Sequence, residues 1–223
     1  MRKSDPTSLV ATVPVIPVLT IERLADAVPL ARALAAGGLT VIEITLRTAV
    51  ALDAVRAIVA EVPQCGVGVG TVTRAADAAA ALAAGAKFLV SPGTPAGLAT
   101  AFAELPVPVI PGCATVSEAL ALAEHGFNML KFFPAEAAGG VSWLKAVAAP
   151  LAGLKFCPTG GIDLRNAGVY LALPNVVTVG GSWPAPSEAL AAGDFARIAR
   201  LATEAAQLSR RRDSFGAPMT PTD

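Results

Sequence analysis

Histidine and tyrosine each occur once in these 223 residues, tryptophan twice and cysteine three times, and positive and negative side chains balance at 17 each. Each scarcity closes off a kind of chemistry. One imidazole, His125, cannot supply the clustered His, Cys or Asp ligands of a zinc centre, and its place in AEHG predicts a cation at a helix C-terminus. Cys65, Cys113 and Cys157 stand far apart without C-x-x-C spacing, in or beside apolar runs. They are expected as buried thiols in a reducing compartment rather than as a disulfide framework. A net charge of zero offers no field to gather nucleic acid or an anionic membrane. The local exception, Arg210-Arg211-Arg212, reads as the cationic end of a last helix. No apolar run approaches the roughly 18 residues of a membrane span, and Asp5, Pro6, Pro14 and Pro17 interrupt any leader-like segment. A cytoplasmic protein is the expectation.

Apolar residues are plentiful, at 54% against 15% charged, so the chain can bury a large core. They come in a repeating unit: an Ala/Leu-rich helical stretch, a glycine placed for a C-cap, a short apolar run, then a turn. Gly37-Gly38, Gly85 and Gly126 are such caps. The runs are short, apolar on both faces and bounded by Gly or Pro, which is how strands buried in a parallel sheet read. There are eight of them: 13–19, 41–46, 66–71, 87–91, 107–112, 129–133, 154–159 and 176–181. Eight β-α units predict an α/β fold, a (β/α)8 TIM barrel forming a single domain over 1–205, with 206–223 as a frayed or disordered tail. A doubly wound open sheet is the alternative.

In a parallel barrel, function gathers at the C-terminal strand ends. Lys131 stands in the middle of MLKFF and Glu43 in the middle of VIEITL, each a charge among large apolar neighbours. Strands of a closed barrel have no free edge, so Lys131 faces either the helices or the interior, with Leu130 and Phe132 on the opposite side. Inside the barrel, burial disfavours the charged form, and a neutral amine can attack a ketone to form a Schiff base. A buried Lys–Glu pair gains little over apolar packing, which points to use, and a carboxyl placed there can carry protons. Arg47, four residues on, has the planar fork that suits a carboxylate or phosphate, although a surface arginine has the same sequence signature.

Gly160-Gly161 and Gly180-Gly181-Ser182 close the last two strands, where barrels often hold phosphate on backbone N–H groups. GVGVGT lacks the rest of a dinucleotide fingerprint and reads as a glycine-rich strand leading to Thr71, and no G-x-x-x-x-G-K-[ST] occurs. The implied chemistry uses neither metal nor cofactor, which suits a lysine imine.

The motifs EITLRT, GVGTV, VSPG, VIPG, MLKFFPAE with a following GG, FCPTGGI and VGGSW occur in that order between Pro14 and Leu201. Together they closely resemble the 2-dehydro-3-deoxy-6-phosphogluconate (KDPG) aldolases of the Entner–Doudoroff pathway, also called 4-hydroxy-2-oxoglutarate aldolases. The resemblance implies a (β/α)8 barrel, a class I lyase acting without metal or cofactor, a homotrimer, and as small-molecule partners a phosphorylated 2-oxo sugar acid and pyruvate. It implies Lys131 as the Schiff-base lysine and Glu43 as the acid/base. Arg47 and Thr71 would hold the pyruvate carboxylate, and Pro92 and Phe133 would wall the imine pocket. Thr159 would contact substrate hydroxyls, and Gly160, Gly161, Gly181 and Ser182 the phosphate. Pro184 departs from the larger aliphatic residue that many relatives carry. Left open are the galactonate epimer or 4-hydroxy-2-oxoglutarate as preferred substrate, a phosphosugar isomerase, and a non-catalytic binding barrel.

Overall fold

A computed structural model describes residues 6–208. The strands are β1 (Val15–Leu19), β2 (Val41–Thr45), β3 (Gly66–Gly70), β4 (Phe88–Val90), β5 (Val109–Ile110), β6 (Gly112–Cys113), β7 (Met129–Phe132), β8 (Lys155–Pro158) and β9 (Val179–Gly181). Every named ladder is parallel, and helices such as Ala27–Ala36, Ala51–Glu61, Ala75–Ala83 and Gly140–Val147 fall between successive strands. The strands form a six-stranded sheet in the order β5-β4-β3-β2-β1-β9 and a three-stranded sheet in the order β6-β7-β8. Gly38, Gly85 and Gly126 take positive φ where helices end, as expected of left-handed caps.

The expected strand over 107–112 appears instead as two short strands on either side of Pro111. Proline has no N–H to give to a ladder. Pro111 accepts from Lys131 N through its carbonyl (2.9 Å), and Gly112 N turns to the Ser91 hydroxyl (3.0 Å) rather than to a neighbouring strand. The chain thereby changes partners, from β4 before the proline to β7 after it. Between β8 and β9 only the isolated bridges Phe156↔Val176 and Thr159↔Gly180 form. Phe156 exchanges backbone bonds with Asn175 and Val177, and the next residue on that side is Pro158, again without a donor. The expected eightfold parallel pattern is thus met in its α/β alternation and strand direction, while the ladder is interrupted at these two prolines.

Side chains follow the two-residue period. Leu130, Phe132 and Phe156 face the helices, where Trp143 stacks on Phe132 (4.2 Å between centroids, 11° between planes) and meets Phe156 edge-on. On the other face, the glycines of β3 make room for bulk from their neighbours. A Cβ at Gly68 would overlap the Phe88 ring, and one at Gly70 would overlap the Glu43 carboxylate. A short helix, Thr7–Val10, that sequence reading did not expect brings Leu9 against the start of β3 at Gly66 and buries Val10. The last described helix, Phe195–Ala206, runs one residue past the expected domain end, and residues 209–223 of the expected tail, with Arg210, Arg211 and Arg212, lie outside the described residues. No helix among the described residues is long and apolar enough to cross a membrane.

Candidate active site

Lys131 on β7 and Glu43 on β2 share no ladder, yet Lys131 Nζ donates to Glu43 Oε1 at 3.2 Å. Their side chains are only 6% and 5% exposed. Lys131 therefore faces the interior, with Leu130 and Phe132 opposite, as the alternation requires. Its ammonium lies 5.5 Å from the centre of the Phe133 ring, within cation–π range. Cys157, directly across from Lys131 in the β7–β8 register, is buried and lends this part of the interior no competing anion. Burial pushes its thiol up to about 12, with Glu43 adding to the shift and Lys131 opposing it.

A cleft of about 1130 Å³ reaches Phe133, the residue two beyond Lys131. Phe133, Thr159, Gly160, Gly161, Gly181 and Ser182 line it, as does Arg47 from the end of β2. Lys131 and Glu43 are not part of that lining; Phe133, whose ring centre is 5.5 Å from Lys131 Nζ, connects the pair to the cleft wall. Arg47 Nε donates to the Thr71 hydroxyl at 3.3 Å, and its two terminal nitrogens make no hydrogen bond among the described residues. Thr71 holds φ at 61°, a conformation that costs a β-branched residue energy and here aims its hydroxyl at Arg47. Thr71 lines a smaller neighbouring cavity, and Pro92 lines neither; the Pro92 backbone packs instead on Gly112. Of the residues singled out from sequence, the structure thus gathers all but Pro92 and Thr71 at the pair or on the cleft wall.

The loop after β8 has a distinctive backbone arrangement. Three successive carbonyls are tied from behind: Thr159 O by Ala135 N (2.8 Å), Gly160 O by Glu136 N (3.1 Å) and Gly161 O by Asn166 Nδ2 (3.0 Å). In a trans peptide the N–H points opposite to the C=O. The N–H groups of Gly160, Gly161 and Ile162 therefore turn away from those ties; that of Gly160 faces Gly180 across the Thr159↔Gly180 bridge, and those of Gly161 and Ile162 have no acceptor among the described residues. Gly160 (φ 103°) and Gly161 (φ 75°) take left-handed conformations that a larger residue would resist. Consecutive free N–H groups in such a loop form a concave donor set suited to an anion.

Thr20, Arg23, Asp163, Arg165 and Trp183 also line the cleft and were not anticipated as site residues. Thr20, just past β1, could have been found by the same inventory of polar strand ends; its hydroxyl lies 3.1 Å from that of the buried Thr45, which bonds Leu19 O. Arg165 holds the Asp163 carboxyl below the usual carboxylate range by a hydrogen bond, and Arg23 pairs with Asp26, so both rim arginines are already engaged. Among the described residues no three His, Cys, Asp or Glu side chains cluster as metal ligands. His125 occupies the C-cap of the helix Val116–Glu124.

The model of the family described as KDPG and KHG aldolase matches residues 7–201. The KHG/KDPG aldolase of Escherichia coli is 49% identical over 205 residues, 92% of this chain and 96% of that protein. Among solved structures, a KDPG aldolase from Legionella pneumophila, with pyruvate captured at low pH as a covalent carbinolamine intermediate, superposes with a TM-score of 0.89 at 44% identity. That match covers 91% of this chain and 98% of the Legionella chain. The 2-keto-3-deoxy-6-phosphogluconate aldolase of Zymomonas mobilis ZM4 with 3-phosphoglycerate gives 0.87 at 43% identity, covering 93% and 98%.

Proposed function

The chain belongs to the KDPG and KHG aldolase family, and on that premise we propose that it cleaves 2-dehydro-3-deoxy-6-phospho-D-gluconate to pyruvate and D-glyceraldehyde 3-phosphate through an imine on Lys131. The observation that carries the assignment is the buried Lys131–Glu43 contact at 3.2 Å, with Phe133 linking it to the cleft.

Glu43 is placed to take the ammonium proton, which frees the amine to add to the C2 ketone. Loss of water gives an iminium that withdraws electrons from the C3–C4 bond. Glu43, once its first proton has left with that water, accepts the proton of the C4 hydroxyl; the C3–C4 bond breaks and the aldehyde departs. The bonding pair becomes an enamine, which Glu43 protonates at C3, and hydrolysis returns free Lys131 and pyruvate. One carboxyl serves every transfer because it alternates between acid and base. Arg47, steadied by Thr71, has terminal nitrogens free for the substrate carboxylate. Phe133 walls the imine side, Pro92 packs behind it on Gly112, the register partner of Lys131, and Thr159 meets the substrate hydroxyls. The loop at Gly160 and Gly161, with Gly181 and Ser182 beside it on the neighbouring strand end, takes the phosphate. Anchoring both ends holds the scissile bond over the amine, so remote binding contributes to rate. Closure of the two sheets into a (β/α)8 barrel, a single domain over 1–205 and assembly as a homotrimer complete the reading; the two β8–β9 bridges support the first.

Borohydride added with pyruvate should raise the protein mass by one reduced adduct, mapping to the peptide that holds Lys131. Lys131→Ala should lose both the adduct and cleavage. An adduct on another lysine, or full activity in that variant, would remove the assignment.

A further inference from the structure

Glu136 and the glycines at 139 and 140 belong to the MLKFFPAE…GG stretch, but the chemistry above gives them no part. Glu136 accepts a hydrogen bond from the hydroxyl of Tyr170, the chain's one tyrosine, whose residue is buried. That hydroxyl fits beside Gly140: a Cβ there would come within 2.9 Å of it. Tyr170 lies on the helix Ala167–Leu171, four residues after Asn166, which is the N-cap of that helix. Asn166 ties Gly161 O, Glu136 N ties Gly160 O, and the Glu136 side chain lies where a Cβ of Gly161 would be. Burial and the Glu136 carboxylate both push the Tyr170 hydroxyl well above its ordinary range, so it stays a donor at physiological pH.

We propose that Glu136 and Tyr170, with Asn166, form a frame behind the loop after β8 that turns its N–H groups toward the substrate's phosphate. These are positioning residues: Asn166 and the Glu136 backbone hold carbonyls of the loop, Tyr170 holds the Glu136 side chain that packs against Gly161, and none touches a reacting atom. The inference rests on the reading of Gly160 and Gly161 as the phosphate end, and it deepens that reading by naming what presets them. Preorganised donors bind an anion without first paying to order the loop.

Steady-state kinetics on the phosphorylated substrate and on 4-hydroxy-2-oxoglutarate, which has no phosphate, test it, with inorganic phosphate as a competing inhibitor. Tyr170→Phe and Glu136→Ala should each raise KM for the phosphorylated substrate and Ki for phosphate by roughly ten-fold, about the value of one hydrogen bond. Neither should change kcat by more than about two-fold or alter kinetics on the unphosphorylated substrate. Glu136→Gln keeps an acceptor for Tyr170 and should restore near wild-type KM. A wild-type enzyme that does not discriminate between the two substrates would sink the functional reading itself. A discriminating wild type, with variants that impair both substrates alike or neither, or with Glu136→Gln as impaired as Glu136→Ala, would overturn the frame alone.

Discussion

Glu43 and Lys131 are the only ion pair among the described residues with both partners buried; in each of the other pairs at least one side chain is 42% exposed or more. Removing two charges from water costs several kcal/mol that their attraction only partly returns, so stability alone does not account for the pair. Proton transfer does. Glu43→Gln keeps the shape and can still accept from Lys131 but cannot carry a proton. That variant should still be trapped by borohydride with pyruvate while kcat falls by at least ~100-fold, the usual contribution of a positioned acid–base group. Turnover at the wild-type rate would remove Glu43 from the chemistry. Gly70 belongs to the same argument, because the carboxylate occupies the volume that any β-carbon at that position would need.

Helices and strands meet most tightly where a side chain is missing. The helices Ala27–Ala36 and Phe195–Ala206 cross at Gly37, where a Cβ would lie 2.6 Å from Ala199 O and 2.9 Å from Thr203 N. Gly37 has ordinary helical φ, so backbone preference would favour alanine by roughly 0.5–1 kcal/mol. The overlap is with backbone, which cannot swing aside, and overpacking costs about 1–3 kcal/mol. Sterics should win. Gly37→Ala is expected to lower Tm by several degrees in a thermal melt; an unchanged or raised Tm would show that the two helices can separate cheaply. Pro111 and Pro158 act at the same level, since each removes a ladder donor and so decides where one strand lets go of its neighbour.

Across the whole molecule, folding suppresses the ionisation of several acids together. Burial pushes Cys113 and Cys157 up to about 12 from 9.0, and Tyr170 is raised as well. In the unfolded chain these groups lose protons near their ordinary values, so above about pH 9 the unfolded state binds fewer protons than the folded one. The sign is then set: their contribution to stability is complete below pH 9 and is lost as pH rises toward 12. Each thiol should steepen the loss by at most about 1.4 kcal/mol per pH unit. Denaturant titrations between pH 8 and 11 should show that slope, and Cys113→Ala with Cys157→Ala should flatten it. A double variant with the same slope as wild type would place the thiols in contact with water.

Much of this was legible in the order of residues. Short apolar runs bounded by Gly and Pro dictate parallel strands and their spacing, because only fully buried strands are apolar on both faces. Period-two alternation puts Lys131 and Glu43 opposite their apolar neighbours before any fold is known. The split at Pro111 was less visible: the missing donor can be read, but which neighbour takes over the strand cannot. The helix Thr7–Val10 left no signal, being four residues without a capping side chain. Nor does position in the chain reveal that Glu136 meets Tyr170, 34 residues away, or that the carbonyls of 159 to 161 are all tied from one side. Alternation and composition are local properties, carried by each strand on its own. The contact between residues 43 and 131, the room left by Gly70 and the direction of free N–H groups exist only once distant segments pack, since each is set by what another segment already occupies.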